Sequence, residues 1–286
     1  MKPIPGSHRR AALALCVAGL LLPAAVGAQT QPPGGERPAT AAAATDSQAQ
    51  ARAILMRMAG HLASAPRFSV AVRGSYDTMQ ESGEKIEFGE NRTVTMSRGE
   101  NRLRVDGEHS DGTKVLTVFD GKQITLVDRR SNVFATAPQN GTIDDAIVHY
   151  VRELGVRLPL AALLLSRLPA ELERRVQSVD YVEKTSFHGA PAHHLAARTE
   201  SVDIQVWVAD GARPLPLRVV LTYREEPGAP QFRAQFYGWN FAPPIDSRTF
   251  SAVVPKGATR VSFAGQLVRQ GQGAQPATMD ERKEGK

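Results

Sequence analysis

The sequence is almost free of cysteine, with Cys16 as the only one in 286 residues. A chain with a single cysteine forms no internal disulfide, so its fold must be held by an apolar core. The position of Cys16 in an N-terminal apolar stretch also leaves the rest of the chain without thiolate metal ligands or a cysteine nucleophile.

Apolar runs long enough to cross a membrane are missing as well. The run at residues 11–22 follows Lys2, Arg9 and Arg10 and precedes the small residues Val26-Gly27-Ala28. A short apolar run between basic residues and a small-residue cleavage site is typical of a signal peptide. We therefore predict a signal peptide over residues 1–28, secretion of the chain, and no transmembrane segment in the mature chain.

The excess of basic over acidic residues becomes small once the predicted signal peptide is removed. The signal peptide carries three of the 35 Lys and Arg residues, which leaves 32 against 29 Asp and Glu. Runs of five or more basic residues are absent from the sequence, so we expect no nucleic-acid partner.

Motifs for catalysis are also lacking. The sequence has no Gly-x-Ser-x-Gly elbow, no His-Glu-x-x-His and no glycine-rich phosphate loop. His188, His193 and His194 are the densest group of histidines, but adjacent residues of a strand point to opposite faces of a sheet. Asp144 and Asp145 fit the positive end of a helix dipole better than a calcium site. We expect neither an enzyme nor a cofactor or metal.

What the sequence does contain is strand alternation, most clearly at residues 202–223. Four aliphatic residues there alternate with polar ones, and a second alternating set follows the turn at Asp210-Gly211. Similar short segments fill residues 67–135 and recur after residue 176. The pattern predicts an α+β, mainly β, fold whose antiparallel sheet has about eleven strands.

Two further stretches are helical in pattern. Apolar residues recur at helical spacing over residues 46–64. In residues 141–168, which we call the lid, Thr142 and Asp145 resemble a capping box, and Pro159 is placed to begin a second helix. That second helix, Leu160 to Leu165, is apolar on nearly every side and must be buried or must cover an apolar cavity.

Composition defines the remaining boundaries. Residues 29–45 are rich in Ala, Pro, Gly and Gln and predict a disordered linker, and residues 265–286 predict a disordered tail. Residues 46–264 are expected to form a single β domain.

Several segments together resemble an uncharacterised family of predicted periplasmic proteins over residues 49–263. These segments are Phe119-Asp120-Gly121-Lys122 leading into Thr125, Val133-Phe134-Ala135, Thr142 with Asp144-Asp145, Leu158-Pro159-Leu160, His194-Leu195-Ala196, Asp203-x-Gln-x-Trp207, Gly211 and Pro214-Leu215-Pro216. The family is similar in architecture to the lipoprotein carriers and receptors of the LolA/LolB-like fold. The resemblance implies a half-open β-barrel with helices lidding an apolar cavity that accepts acyl chains.

We accordingly predict a non-enzymatic carrier or binding protein for a lipid, a lipoprotein acyl chain or another hydrophobic ligand. The residues expected to line its cavity come from the lid and from the apolar face of the 202–223 hairpin: Ile147, Tyr150, Val151, Leu163, Leu164, Val206, Leu217 and Leu221. The second hypothesis is a sensor or scaffold module, similar to envelope-stress regulators, that binds an envelope protein while its own helix fills the cavity.

Overall fold

A computed structural model describes residues 38–263. The predicted signal peptide, most of the predicted linker and the predicted C-terminal tail lie outside these residues. The elements described here fall almost entirely within one compact unit, which begins at Thr40.

The first element is a long helix, α1, Pro38–Ser64. It begins eight residues before the start expected from the apolar pattern. The added residues are mostly alanine, the strongest helix former, and Pro38 takes the first position, where a missing N–H costs nothing. Helix propensity here extends α1 beyond the part that carries an apolar stripe.

All strands of the described residues belong to one sheet of twelve, where about eleven were expected. They are β1 Arg67–Met79, β2 Lys85–Ser97, β3 Arg102–His109, β4 Lys114–Phe119, β5 Gln123–Asp128, β6 Val133–Pro138, β7 Ser178–Phe187, β8 Ala190–Arg198, β9 Val202–Ala209, β10 Pro216–Tyr223, β11 Gln231–Asn240 and β12 Thr259–Arg260. Their order is β12-β6-β5-β4-β3-β2-β1-β11-β10-β9-β8-β7.

The sheet is antiparallel except for β12, which runs parallel to β6 at one edge. At the other edge lies β7, and the two edges do not pair, so the sheet stays open. The predicted class, mainly β with a half-open antiparallel barrel, is confirmed.

The two faces of the sheet are distinct. Phe68, Val70 and Val72 on β1 are buried and mark the inner face, while the alternating residues Ser69, Ala71 and Arg73 are more exposed and mark the outer face. Residues Ile54, Leu55 and Met58 of α1 join the same buried cluster as the inner-face strand residues. The helix therefore fills part of the sheet's inner face.

The lid differs from the two regular helices that were predicted. Helix α2, Ile143–Val148, starts with the expected capping box of Thr142 and Asp145. It then continues as a π-helix, His149–Glu153, and ends before Gly155, which takes a φ of 68°.

The second predicted lid helix, starting at Pro159, is wrong. Leu160 adopts a φ of 65°, which is incompatible with a right-handed helix, and only a four-residue 3-10 helix, Ala161–Leu164, follows. A third helix, α3, Leu168–Arg175, was not anticipated.

Candidate functional site

An apolar cavity lies between the lid and the inner face of strands β3, β4 and β5. Its volume is about 30 Å³. The residues that line it are Leu103, Val105, Thr117, Phe119, Ile124, Ala146, Ile147, Tyr150 and Leu158. Ala146, Ile147 and Tyr150 come from α2 and the π-helix, so the lid closes the cavity as its roof.

The only polar side chains in this lining bond to each other. The hydroxyl groups of Thr117 and Tyr150 are 3.1 Å apart. Burial raises the pKa of Tyr150 to about 12, against smaller lowering effects of its bond to Thr117 and of the nearby Arg92. The phenol is therefore neutral at any physiological pH, and with its hydroxyl satisfied it presents an apolar ring to the cavity.

The cavity is small because the protein's own side chains occupy the space around it. The buried cluster that contains the inner-face strand residues is called the central cluster here. It also contains Ile54, Leu55 and Met58 of α1 and Leu164 and Leu165 of the lid. A cavity of about 30 Å³ has the volume of one water molecule, whereas sites for drug-sized ligands measure roughly 300–1,000 Å³. An acyl chain would fit only after the lid side chains had moved out.

The predicted lid residues lie in three different environments. Ile147 and Tyr150 line the cavity. Leu164 is buried in the central cluster, and the half-buried Leu163 packs between that cluster and a second one around Leu62 and Leu168. Val151 is 36% exposed and lies outside both clusters.

The predicted hairpin residues lie away from the cavity lining. Val206 is buried in the central cluster, and Leu221 packs against it half-buried. Leu217 sits at a β-bulge between Pro216 and Arg218, where the strand loses its regular register. Their contact with a ligand stays a prediction.

The lining residues of β3, β4 and β5 were not among those expected. Leu103, Val105, Phe119 and Ile124 do follow the alternation that predicted these strands. Alternation identifies the buried face of a strand, but it carries no information on which strands a lid covers, and that was the missing signal.

A polar junction fastens the lid to α1 and the sheet. The Asp144 carboxylate of α2 accepts hydrogen bonds from the backbone N–H of Ser166, at 2.9 Å, and from its hydroxyl, also at 2.9 Å. Arg98, in the β2–β3 turn, places a guanidinium nitrogen 3.7 Å from Asp144. It also donates to the carbonyl of Ala65, just after α1, at 3.1 Å.

Burial of Arg98 lowers its pKa, and Asp144 opposes that shift. The junction thus neutralises a half-buried cation with a buried carboxylate and ties together both ends of the lid. From the sequence alone, Asp144 was explained by the helix dipole.

The histidines are arranged as the alternation predicted. His193 lies on the inner face, with its Nδ1 2.9 Å from the Tyr181 hydroxyl. His194 lies on the outer face and stacks on Trp207 at 4.0 Å. Within residues 38–263, no three His, Cys, Asp or Glu side chains are grouped closely enough to hold a metal.

The helices of the same part of the chain include none that is both long and apolar enough to cross a bilayer.

Three solved structures overlap this fold at low sequence identity. An uncharacterised conserved protein from Thermus thermophilus has a TM-score of 0.44 and 14% identity, covering 74% of this chain and 99% of its own. Lipoprotein LppX from Mycobacterium tuberculosis has a TM-score of 0.44 and 13% identity, covering 70% and 100%. A LolA superfamily protein from Nitrosomonas europaea has a TM-score of 0.34 and 9% identity, covering 71% and 97%.

Such scores are too low to transfer a function. No curated protein matches the chain in sequence. The model of one protein family, described as predicted periplasmic protein (DUF2092), matches residues 51–264. Since the match extends over most of the chain, the protein belongs to this family of predicted periplasmic proteins.

Proposed function

We propose that the protein is a periplasmic carrier or binding protein, without catalytic activity, for a lipid, a lipoprotein acyl chain or another hydrophobic ligand. The observation that carries this proposal is the apolar cavity roofed by Ile147 and Tyr150 of the lid. The ligand enters by displacing lid side chains from the inner face and taking their place.

Burial of apolar surface supplies the affinity. At about 25 cal/mol per Å², an acyl chain that buries roughly 300 Å² gains on the order of 7 kcal/mol before ordering costs. Part of this gain is offset because Leu164 and its neighbours lose their own burial when the lid moves. The expected result is reversible capture with an affinity no tighter than micromolar.

The irregular secondary structure of the lid supports its proposed role as the segment that moves when a ligand enters. It consists of one short α-helix, a π-helix, a 3-10 helix and a leucine at positive φ. Short segments with few regular hydrogen bonds open at lower free energy than a sheet does, and π-helices occur frequently at functional sites.

The test is whether the protein carries a ligand through gentle purification. Native mass spectrometry and lipid extraction should detect a co-purifying amphiphile on the wild type. Replacement of the buried Leu164 by Asp should abolish capture, because a carboxylate cannot pack against the inner face. Ala162→Asp is the matched control, since Ala162 lies in the same 3-10 helix on the exposed side.

Two outcomes of this experiment would count against the proposal. If a folded Leu164→Asp protein binds amphiphile as well as the wild type does, the lid is not the entry site. If the wild type binds none, the second hypothesis, a sensor or scaffold module whose own helix fills the sheet, gains support.

A further inference from the structure

The outer face of the sheet carries a second, larger depression, which we call the outer groove. It crosses β2, β1, β11 and β10 on the side away from the lid and has a volume of about 450 Å³. That volume lies within the range of small-molecule sites. The surface of the sheet is recessed where Ser75 pairs with Gly89, because neither residue has a large side chain.

Strand register brings two arginines to this groove. Arg218 of β10 pairs with Gln235 of β11, which in turn pairs with Arg73 of β1. Residues directly opposite one another in antiparallel strands share a face. Two strand spacings of about 4.8 Å separate the backbones of the two arginines, so they stand roughly 10 Å apart across the groove.

Aromatic rings and not carboxylates hold the side chains of these two arginines in place, so their positive charges are not neutralised. Arg218 lies over the ring of Trp207 at 5.4 Å, and Arg73 lies over the ring of Tyr237 at 5.8 Å. Within residues 38–263 neither forms an ion pair. Stacking on a ring fixes the plane of a guanidinium while its N–H groups at the edge stay available to a ligand.

A third arginine contributes less positive charge to the outer groove. Arg233 lines the groove but is committed to Asp77 at 2.7 Å. The neighbouring Glu87 is 3.9 Å from Arg233. Arg233 forms a local network with these two carboxylates, of which Glu87 also lines the groove. The other carboxylate of the lining, Glu90, pairs with Arg92 at 2.8 Å. The positive charge that no carboxylate pairs with therefore comes from Arg73 and Arg218.

Neutral donors complete the lining. The side-chain oxygen of Gln235 accepts a hydrogen bond from the Tyr237 hydroxyl, which leaves the amide N–H groups of Gln235 to donate elsewhere. Ser75 and Asn91 also line the groove. Beside the carboxylates Glu87 and Glu90, which have arginine partners, the lining thus offers two unpaired guanidinium groups together with amide and hydroxyl donors.

We propose that the outer groove binds a phosphate ester group. The guanidinium fork matches phosphate oxygens in a two-bond geometry, and a tetrahedral oxyanion offers enough acceptors to engage donors from several strands at once. A carboxylate, with only two oxygens, would satisfy fewer of them. The groove lies on the opposite face from the lid, so this site is independent of the proposed carrier function.

Phosphate esters reach a periplasmic protein from soluble sugar phosphates or from lipid headgroups, and two sets of probes separate these sources. The full mature chain is titrated with inorganic phosphate and glycerol 3-phosphate by calorimetry. It is also floated with vesicles of phosphatidylglycerol and, for comparison, of phosphatidylcholine. Arg73→Gln and Arg218→Gln should each raise the dissociation constant about tenfold, the loss expected for one charge-assisted contact.

Arg67→Gln is the matched control, since Arg67 is exposed on the outer face of the same strand but outside the groove. Loss of binding in the arginine variants but not in this control supports the site. Binding of the soluble probes indicates a soluble ligand, and binding only to phosphatidylglycerol vesicles indicates a headgroup. The proposal fails if no probe binds, if Arg73→Gln and Arg218→Gln both bind normally, or if Arg67→Gln weakens binding equally.

Discussion

Gly74 leaves room for a charged pair, Glu90 and Arg92, on the mostly apolar inner face. A Cβ at this position would lie 3.0 Å from two side-chain atoms of Glu90 and 3.4 Å from the ring of Phe232. Glu90 is only 5% exposed and pairs with Arg92 at 2.8 Å. Its Oε1 atom has no hydrogen-bond partner in the described part of the chain, so the pair has little capacity to adapt.

We expect Gly74→Ala to lower the free energy of unfolding by about 1–3 kcal/mol, the usual cost of overpacking. Urea denaturation measures this. The control is Gly89→Ala on the adjacent strand, where the nearest atom to an added Cβ is 3.8 Å away. That variant should be neutral or slightly stabilising, because alanine restricts the unfolded chain. Equal losses in both variants would contradict the steric explanation.

Glu171 on α3 makes the free energy of unfolding depend on pH in the acid range. Burial acts to raise the pKa of Glu171, but hydrogen bonds from Arg174 and Arg167 and the charge of Arg175 outweigh it and lower the pKa from 4.5 to about 2. A carboxyl whose pKa falls on folding stabilises the folded state above its unfolded pKa. That contribution is lost as pH falls from about 4.5 toward about 2.

Glu171→Gln should therefore cost about 1 kcal/mol at pH 7, the sum expected for three exposed helix pairs. The difference from the wild type should shrink below pH 4.5 and vanish near pH 2. Urea unfolding at a series of pH values measures it. A difference that is constant with pH would mean that the ion pairs contribute nothing.

At the scale of elements, the Asp144 junction decides how readily the lid opens. Asp144→Asn keeps an acceptor for Ser166 but removes the charge that faces Arg98. We expect backbone amides of residues 141–168 to exchange hydrogen about tenfold faster, since a bond to a charged group contributes about 1.5–3 kcal/mol. Amides of the central strands should be unaffected. The measurement is hydrogen exchange by mass spectrometry.

The control for this prediction removes a different carboxylate from the same segment. Glu153 pairs with His149 at 2.6 Å and is largely exposed. Glu153→Gln should leave lid exchange nearly unchanged, because exposed ion pairs contribute little. If uptake of a fluorescent fatty acid is faster in Asp144→Asn and not in Glu153→Gln, lid opening limits entry. Equal uptake rates would mean that it does not.

The elements differ in how far the sequence predicts them. Strands β9 and β10 follow from alternation, and the Thr142–Asp145 capping box from residues three apart, because both signals are local. The 3-10 helix after Leu160 and the contact of Asp144 with Ser166 depend on packing between distant segments. For the same reason nothing in the sequence indicates that the lid covers β3, β4 and β5, and the contact of the hairpin with a ligand stays a prediction.

At the scale of the whole molecule, the proposed ligand would compete with the protein's own side chains for one apolar surface. Within residues 38–263 the inner face is already covered by α1 and the lid, and the cavity measures about 30 Å³. The outer side of β4 and β5 is covered separately, by Phe250 packing on Leu116, Val118 and Val127. A ligand that binds the inner face must therefore displace side chains of α1 or of the lid, and under the proposed function it displaces those of the lid.

This exchange predicts a stability that is linked to ligand concentration. An amphiphile that binds only the folded protein adds about 2.7 kcal/mol at 100 times its dissociation constant, which for a domain of this size should raise Tm by several degrees. Differential scanning calorimetry with increasing lauric acid should show a rise in the wild type and in Ala162→Asp but none in Leu164→Asp. If the wild-type Tm does not rise, lauric acid does not bind the folded protein, and a permanently self-filled sheet that serves as a scaffold becomes the better explanation.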